Sequence, residues 1–534
     1  MAGFSAAVPQ GLHYYDPVVQ LQALDQHARG ESPAWNVRLR VDPRDLSQDL
    51  PEPIGWWPPA IPVLAAALGK LGLGYGEALR AVALAGSAAG CLGWMLWWRR
   101  FELPSRWLGA AAAALPWLPY ATGPLFRFSG EAFVFGAAPW AYLGALALAE
   151  RLESGRLGLV APAVGALGGL SYFFKYSLFV VVLGALAGAG CALWRRRRIG
   201  AGVALRAGLA IALGLAAVPL ALRWYHTAIG AADPTGAPDG GATGPGLLLF
   251  VLANPVLGLA DAGGAWFALL VYPGIFGPGV FPASAVALVG LPGSVLLGWL
   301  CARRFRPADT PLPALLALGG LAGFTLLMAG LWLTSNVARD TRFFVAPGLA
   351  ALPALLACAR GAWPAAGPGM RGALAAGALV YLVLPAGAGV ALAGLKIWRG
   401  SGAIPPPHGL VLPALGVRDQ AAVYRELARH ADADTVWIVE NPELALGLPG
   451  RVIDRNAGRS VAEDLANIYR PPASLAHWAT RRPVSLRTFG GAAVVPPGWT
   501  TTLRGVGPWL ATPLPEGLVL WSATMTPSPS AGRP

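Results

Sequence analysis

This sequence predicts a polytopic α-helical membrane protein of about 10–12 spans, with an outer-face N-terminal loop and a small C-terminal α/β domain. Three observations predict it. Of 534 residues, 55% are hydrophobic and only 13% charged, with mean hydropathy +0.53; an ordinary soluble domain carries about 25% charged residues. Apolar runs recur between residues 60 and 397, each close to the ~20 residues that a spanning helix needs. The basic residues between those runs also alternate in density from one connection to the next, as they do when one side of a membrane retains them. A soluble enzyme is excluded.

The runs place spans at 78–98, 107–122, 130–150, 157–174, 177–194, 205–222, 283–301, 311–334, 343–360 and 373–395. The stretch 246–282 is apolar but interrupted by Asn254-Pro255, Asp261, Gly263-Gly264 and Tyr272-Pro273-Gly274. It fits either two short spans or a re-entrant segment. One set of connections holds Arg99, Arg100, Arg106, Arg151, Arg156, Arg195 to Arg198, Arg303, Arg304, Arg306, Arg360 and Arg371; the alternate set holds Arg127, Lys175, Arg223, Arg339 and Arg342. The 14-to-5 bias makes the first set cytoplasmic and puts both termini on the outer side. An outer segment of some 57 residues needs a means of crossing. A further helix upstream is therefore expected, with unaided translocation of the tail as the alternative.

The formal charge of +13 does not point to nucleic acid. All but three of the 40 basic residues are Arg, clustered at the ends of apolar segments, and that is a topology signal. Cys91, Cys191, Cys301 and Cys358 lie within or beside apolar runs without a CxxC pair, which supports neither a disulfide framework nor a thiolate metal site. His13, His27, His226, His408, His430 and His477 show no ligand spacing.

The expected domains are a first outer loop with interfacial helices over 1–77, a transmembrane domain over 78–398, a linker over 399–408, an outer α/β domain over 409–526 and a disordered tail over 527–534. Residues 1–57 read as polar and irregular apart from a helix through Gln20, Leu21 and Leu24. In the C-terminal domain, Val423, Tyr424 and Leu427 put an apolar stripe on a helix over about 417–431. Thr435-Val-Trp-Ile-Val-Glu440 and Gly517-Leu-Val-Leu-Trp-Ser-Ala523 read as strands, with a second helix near 460–470. Asp432-Ala-Asp434 has the form of a nucleotide-sugar DxD motif, but it precedes its strand rather than following it, so it is expected to be an exposed turn.

The most informative stretch is 11–68. It runs from Gly11-Leu-His-Tyr-Tyr-Asp16-Pro17 through a helix and Gly30 to Gly55-Trp-Trp-Pro-Pro-Ala-Ile-Pro-Val-Leu64 and an apolar helix. The Trp-Trp-Pro-Pro block suits an aromatic anchor at the lipid headgroups, with prolines that delay the next helix. In its order of parts this stretch resembles the first outer loop of GT-C glycosyltransferases, the superfamily of the protein O-mannosyltransferases and aminoarabinose transferases. Ser129-Gly-Glu131, Phe174-Lys175-Tyr176 and Thr341-Arg-Phe-Phe-Val-Ala-Pro347 are similar to further short motifs of the bacterial members. The Trp-Trp-Asp motif of the oligosaccharyltransferases is missing, which argues against that branch.

The resemblance implies an inverting transfer of a sugar from a polyprenyl-phosphate donor to a glycan, lipid or protein acceptor on the outer face of a bacterial inner or plasma membrane. Such chemistry needs a carboxylate to take the acceptor proton and a cation or metal to stabilise the departing phosphate. Asp16 is the candidate base and Glu131 the second acidic candidate; their structural alternatives are a turn Asp before Pro17 and a Glu complementing a helix dipole. Lys175, Arg339 and Arg342 are candidates to meet the phosphate. Their alternatives are a snorkelling side chain and an ion pair of Arg339 or Arg342 with Asp340. Tyr15 and Trp57 join them as substrate-binding candidates, with Arg223 and His226 ranked lower. No cofactor is assigned, although Asp16 and Glu131 together are compatible with a divalent metal. Asp16 stands alone where many relatives carry an acidic pair. That keeps open a non-catalytic GT-C-like subunit, while the break in 246–282 is the feature that favours a transporter or flippase for a lipid-linked sugar.

Overall fold

The computed structural model describes residues 11–12, 15–42, 45–55, 57–118, 121, 127–155, 159–196, 200–231, 245–262, 283–304, 310–334, 341–384, 386–387, 390–391, 394, 402–412, 415–439, 442–454, 479–490 and 505–527. The first loop opens with β1 (Gly11–Leu12) and α1 (Tyr15–Ala28), followed by a hairpin of β2 (Val37–Asp42) and β3 (Asp45–Pro53). Then come α2 (Ala60–Gly69), α3 (Tyr75–Trp98), α4 (Ser105–Ala114) and β4 (Arg127–Phe128). The apolar body consists of α5 (Glu131–Glu153), α6 (Val160–Phe174), α7 (Tyr176–Arg196), α8 (Ala201–Ala228), α9 (Pro245–Ala262), α10 (Ala283–Arg304), α11 (Leu312–Thr334), α12 (Val345–Ala362) and α13 (Pro368–Ala378). The C-terminal part holds α14 (Gln420–His430), β5 (Thr435–Val439), β6 (Arg451–Asp454), β7 (Val484–Gly490), β8 (Leu510–Pro513) and β9 (Val519–Met525).

Among the described residues, six helices are long and apolar enough to cross a membrane: Tyr75–Phe101, Glu131–Glu153, Tyr176–Arg196, Ala201–Ala228, Leu312–Thr334 and Arg342–Ala362. The protein is an integral membrane protein. The run expected as a span at 107–122 holds a ten-residue helix, α4, that gives way to a 3-10 turn at Leu115–Trp117, where Pro116 removes a backbone donor. Within the run expected at 157–174 lies the shorter α6, Val160–Phe174. The 246–282 run begins as a helix that continues through Pro255, and residues 263–282 lie outside the described ones, as do the expected helix near 460–470 and the tail from 528.

Small residues let the spans approach closely, the usual basis of helix packing in lipid. A Cβ on Gly188 of α7 would lie 2.2 Å from the Leu316 carbonyl of α11. Two indoles close the end of α3 onto α12: Trp97 Nε1 donates to the Ala350 carbonyl (3.0 Å) and Trp98 Nε1 to that of Leu349 (3.2 Å). Tyr142, Phe324 and Phe344 are buried in the same core.

The hairpin corrects the expectation of an irregular first loop. Val37, Leu39 and Val41 are buried and alternate with Arg38, Arg40 and Asp42 in the period of a strand. Its partner β3, with Pro51 and Pro53 and no β-branched residue, carries no such signal. The pairing sets Arg38 opposite Glu52, and Glu52 also meets Arg40 at 3.1 Å. Burial would raise the Glu52 carboxyl, but the two guanidinium groups hold it below the usual carboxylate range. Gln26 of α1 caps the hairpin like an added strand, accepting from Leu39 N (2.8 Å) and donating to Leu39 O (3.1 Å).

The C-terminal sheet has the order β6-β5-β7-β9-β8. β5 runs parallel to β6 and β7, while β9 is antiparallel to both β7 and β8. One face packs Trp437 and Phe489 with Val423, Tyr424 and Leu427 of α14; the other packs Val436 and Ile438 with Val41 and Leu46 of the hairpin. The hairpin and sheet are also joined by polar contacts. Arg451 donates to Leu46 O (3.0 Å), Leu46 N donates to Ala479 O (2.8 Å), and Asp45 pairs with Arg481 (3.3 Å). Asp432 accepts from the Thr435 hydroxyl (2.7 Å), and Asp434 pairs with Arg482 (3.3 Å) and Arg451 (3.7 Å). The two Asp residues therefore stabilise the turn into β5.

The sheet meets the transmembrane body at Gly76, whose N–H donates to His408 O at 3.1 Å. A Cβ on Gly76 would lie 2.0 Å from the Gly409 carbonyl. His408 packs edge-on to Tyr424 and accepts from Leu410 N (3.3 Å), and burial pushes its imidazole down to about 4.

Two outcomes follow. Arg38→Met removes one of the two guanidinium partners of the largely buried Glu52 and is expected to cost about 1.5–3 kcal/mol, read as a lowered thermal midpoint that Arg38→Met with Glu52→Gln largely restores. His408 is neutral in the folded chain, so between about pH 6.5 and 4 the unfolded state binds the extra proton and stability falls as pH falls, by about 3 kcal/mol in all. Thermal melts of wild type against His408→Leu should diverge as pH drops below 6.5, with the wild type losing more.

Candidate active site

Three separate helix ends converge beside the first loop. Glu131 is the first residue of α5 after the Ser129-Gly130 turn, where a carboxylate complements the unpaired backbone N–H groups. Lys175 is a single extended residue between α6 and α7. Its N–H donates to Ser171 O, and its carbonyl accepts from Phe179 N, so both helices are finished across it. Arg342 lies in the 3-10 turn Thr341–Phe344 that leads into α12. The Lys175 ammonium donates to Glu131 Oε1 at 2.5 Å, and Arg342 Nε lies 4.0 Å from the same oxygen.

Glu131 is 8% exposed, whereas the Arg342 side chain is 44% exposed. The trio therefore has a buried carboxylate behind and an accessible guanidinium in front, with a formal charge of +1. Gly130 makes room for the lysine: a Cβ there would sit 3.2 Å from Lys175 Nζ. Aromatic rings brace the turn, with Tyr172 against Tyr176 (4.4 Å) and Phe133 against Phe174 (5.4 Å). The Tyr176 hydroxyl donates to Gly55 O at 3.0 Å and ties the first loop to the lysine.

The strand before Asp16 lies beside the strand before Glu131. β1 and β4 pair in parallel, with Gly11 beside Arg127 and Leu12 beside Phe128. Asp16 follows four residues after Leu12, in the first turn of α1, and Glu131 three residues after Phe128. The side chains of Tyr15 and Asp16 lie outside the described residues, as do Arg339 and Asp340.

Trp57 is placed elsewhere. It packs on Val19, Ala23 and Ile54 and lines a crevice with Gln20, Asn36 and His226. Arg223 is exposed one turn before His226. Gln20, Asn36 and Tyr225 were not singled out for chemistry by the sequence, because isolated amides and a lone Tyr at a helix end form no spaced motif.

The charges described around Glu131 disfavour a metal there. Its carboxylate already sits between two cations, which would repel a divalent ion. Among the described residues, no three His, Cys, Asp or Glu side chains converge. The arrangement is suited instead to an anion with several oxygens, which Lys175 and Arg342 would approach from two sides.

No protein-family model matches the chain, and no curated protein matches it. Two solved structures are similar to it along nearly the whole length. One is ArnT from Cupriavidus metallidurans in the apo state, with 14% identity, TM-score 0.49, and coverage of 97% of this chain and 95% of that one. The other is ArnT from Cupriavidus metallidurans bound to undecaprenyl phosphate, with 14% identity, TM-score 0.48, and coverage of 99% and 96%.

The ion cluster gives a stability test. Lys175→Met removes the short ion pair of Glu131 in a largely buried site and is expected to cost about 3 kcal/mol. Adding Glu131→Gln should recover most of that loss in thermal melts of the detergent-solubilised protein.

Proposed function

We propose that this chain is a membrane glycosyltransferase that moves a sugar from a polyprenyl-phosphate carrier to a hydroxyl acceptor at the outer face of a bacterial inner or plasma membrane. The observation that carries the reading is the convergence of Glu131, Lys175 and Arg342. Three motifs read from sequence as parts of a GT-C site come from distant points of the chain to one polar cluster at the ends of apolar helices. Ionisable groups in such positions are costly and tend to be functional.

In this mechanism the acceptor oxygen attacks the anomeric carbon from the side opposite the carrier, and Asp16 takes its proton. The bond from the anomeric carbon to the phosphate oxygen breaks, the configuration inverts, and the electron pair leaves on the carrier phosphate. Lys175 and Arg342 stabilise the charge that grows there. Glu131 holds Lys175 in place and is too well paired to serve as the base. The basic connections count puts this end of the bundle, the first loop, the C-terminal sheet and both termini outside. No step runs through a metal.

The test is transfer from polyprenyl-phosphate sugars in membranes. Asp16→Asn is expected to lower kcat by at least about 10²-fold with little change in KM for the donor. Lys175→Met is expected to lower kcat/KM with at least the same severity. Transfer that persists at wild-type rate in Asp16→Asn removes Asp16 from the chemistry. No transfer with any carrier-linked donor by the wild type returns the non-catalytic subunit as the better reading.

A further inference from the structure

On the other flank of the first loop, α1, the turn at Trp35-Asn36, the segment from Trp57 to Pro62 and the last turn of α8 line a narrow crevice, closed in this conformation. Three polar side chains line it although each is more than nine-tenths buried: Gln20 at 3%, Asn36 at 4% and His226 at 7% exposure. Gln20 Nε2 donates to Pro58 O at 2.8 Å, which fixes its amide and leaves Oε1 buried without a partner. Asn36 Oδ1 accepts from the Tyr225 hydroxyl at 2.8 Å, and its Nδ2 is likewise buried without a partner. Trp35 stacks on Tyr225 with planes 8° apart, and Trp57 also lines the crevice.

A buried donor or acceptor left unpaired costs about 1–3 kcal/mol. Water does not relieve it here, because in this conformation the walls stand too close for a water molecule to sit between them. One unpaired acceptor and one unpaired donor, beside an imidazole and two indoles, are complementary to a ring that carries hydroxyls and an apolar C–H face. Among the described residues the lining contains no charged side chain, so nothing there would pair with an ammonium or a carboxylate on such a ring. Position adds to the chemistry. Asp16 and Gln20 are four residues apart on α1, about one helical turn, so the crevice begins about a turn from the Asp16 backbone.

Resting on the glycosyltransferase reading, we propose that this crevice is the sugar subsite and that it takes an uncharged pyranose ring. Entry parts the walls at Trp57, and the ring's hydroxyls complete the hydrogen bonds of Gln20 and Asn36.

The full chain in nanodiscs would be examined by saturation-transfer NMR with methyl α-mannopyranoside, methyl β-galactopyranoside and the methyl glycoside of glucosamine. The neutral glycosides are expected to show saturation at their ring protons, and Asn36→Leu or His226→Phe to reduce it at least fivefold without lowering the thermal midpoint enough to unfold the sample. Gln20→Glu keeps the shape, adds a charge and should shift preference to the glucosamine glycoside. It decides the matter if the other variants do not accumulate.

No saturation of any neutral glycoside by the wild type, equal saturation in wild type and variants, or a wild-type preference for the amino sugar would each overturn the proposal. In the transfer assay, a raised KM for the carrier-linked sugar identifies the ring as the donor's, and a raised KM for the acceptor identifies it as the acceptor's. A wild type that transfers nothing yet saturates neutral glycosides defeats the transferase reading while leaving the subsite standing.

Discussion

The contact on which the polar end of this molecule depends is the ion pair between Glu131 and Lys175. Each residue stands where a helix begins or ends, and neither could be left alone so close to a hydrocarbon layer at modest cost. Their pairing fixes α5 against the α6–α7 turn. Tyr176, one residue on, then takes the Gly55 carbonyl, and through Gly55 the whole first loop is held over the bundle. Arg342 joins at longer range and with greater exposure.

The layers outside that pair are built by partners distant in sequence. The hairpin is a wedge: its Arg38–Glu52–Arg40 cluster braces it towards α1, and Val41 and Leu46 fill the face of the C-terminal sheet. The sheet in turn rests on the first turn of α3 through Gly76 and His408. The C-terminal domain is thus a structural partner of the first loop, and Asp432 and Asp434, which resemble a nucleotide-sugar motif, are consumed in that support.

How much of this was legible depended on whether the signal was local. The apolar runs announced α3, α5, α7, α8, α11 and α12 because a spanning helix must satisfy its own backbone and present apolar side chains to lipid. The stripe of Val423, Tyr424 and Leu427 announced α14 for the same kind of reason. The strand β3 was illegible, since its stability comes from Arg38, Arg40 and the neighbouring sheet rather than from its own residues. Lys175 and Arg342 were visible as single charges beside apolar runs, but that they share one carboxylate was not.

The sequence by itself determined the membrane class, most helix positions, and the residues at helix ends that deserved suspicion, because hydropathy and charge act over a few turns of one segment. Only the tertiary structure decided which of those ends meet. It gave Glu131 to Lys175, sent Trp57 to a separate crevice, and left Gln20 and Asn36 buried with polar atoms unpaired. Those outcomes depend on distances between segments tens to hundreds of residues apart, and packing sets such distances where no local pattern in the chain can record them.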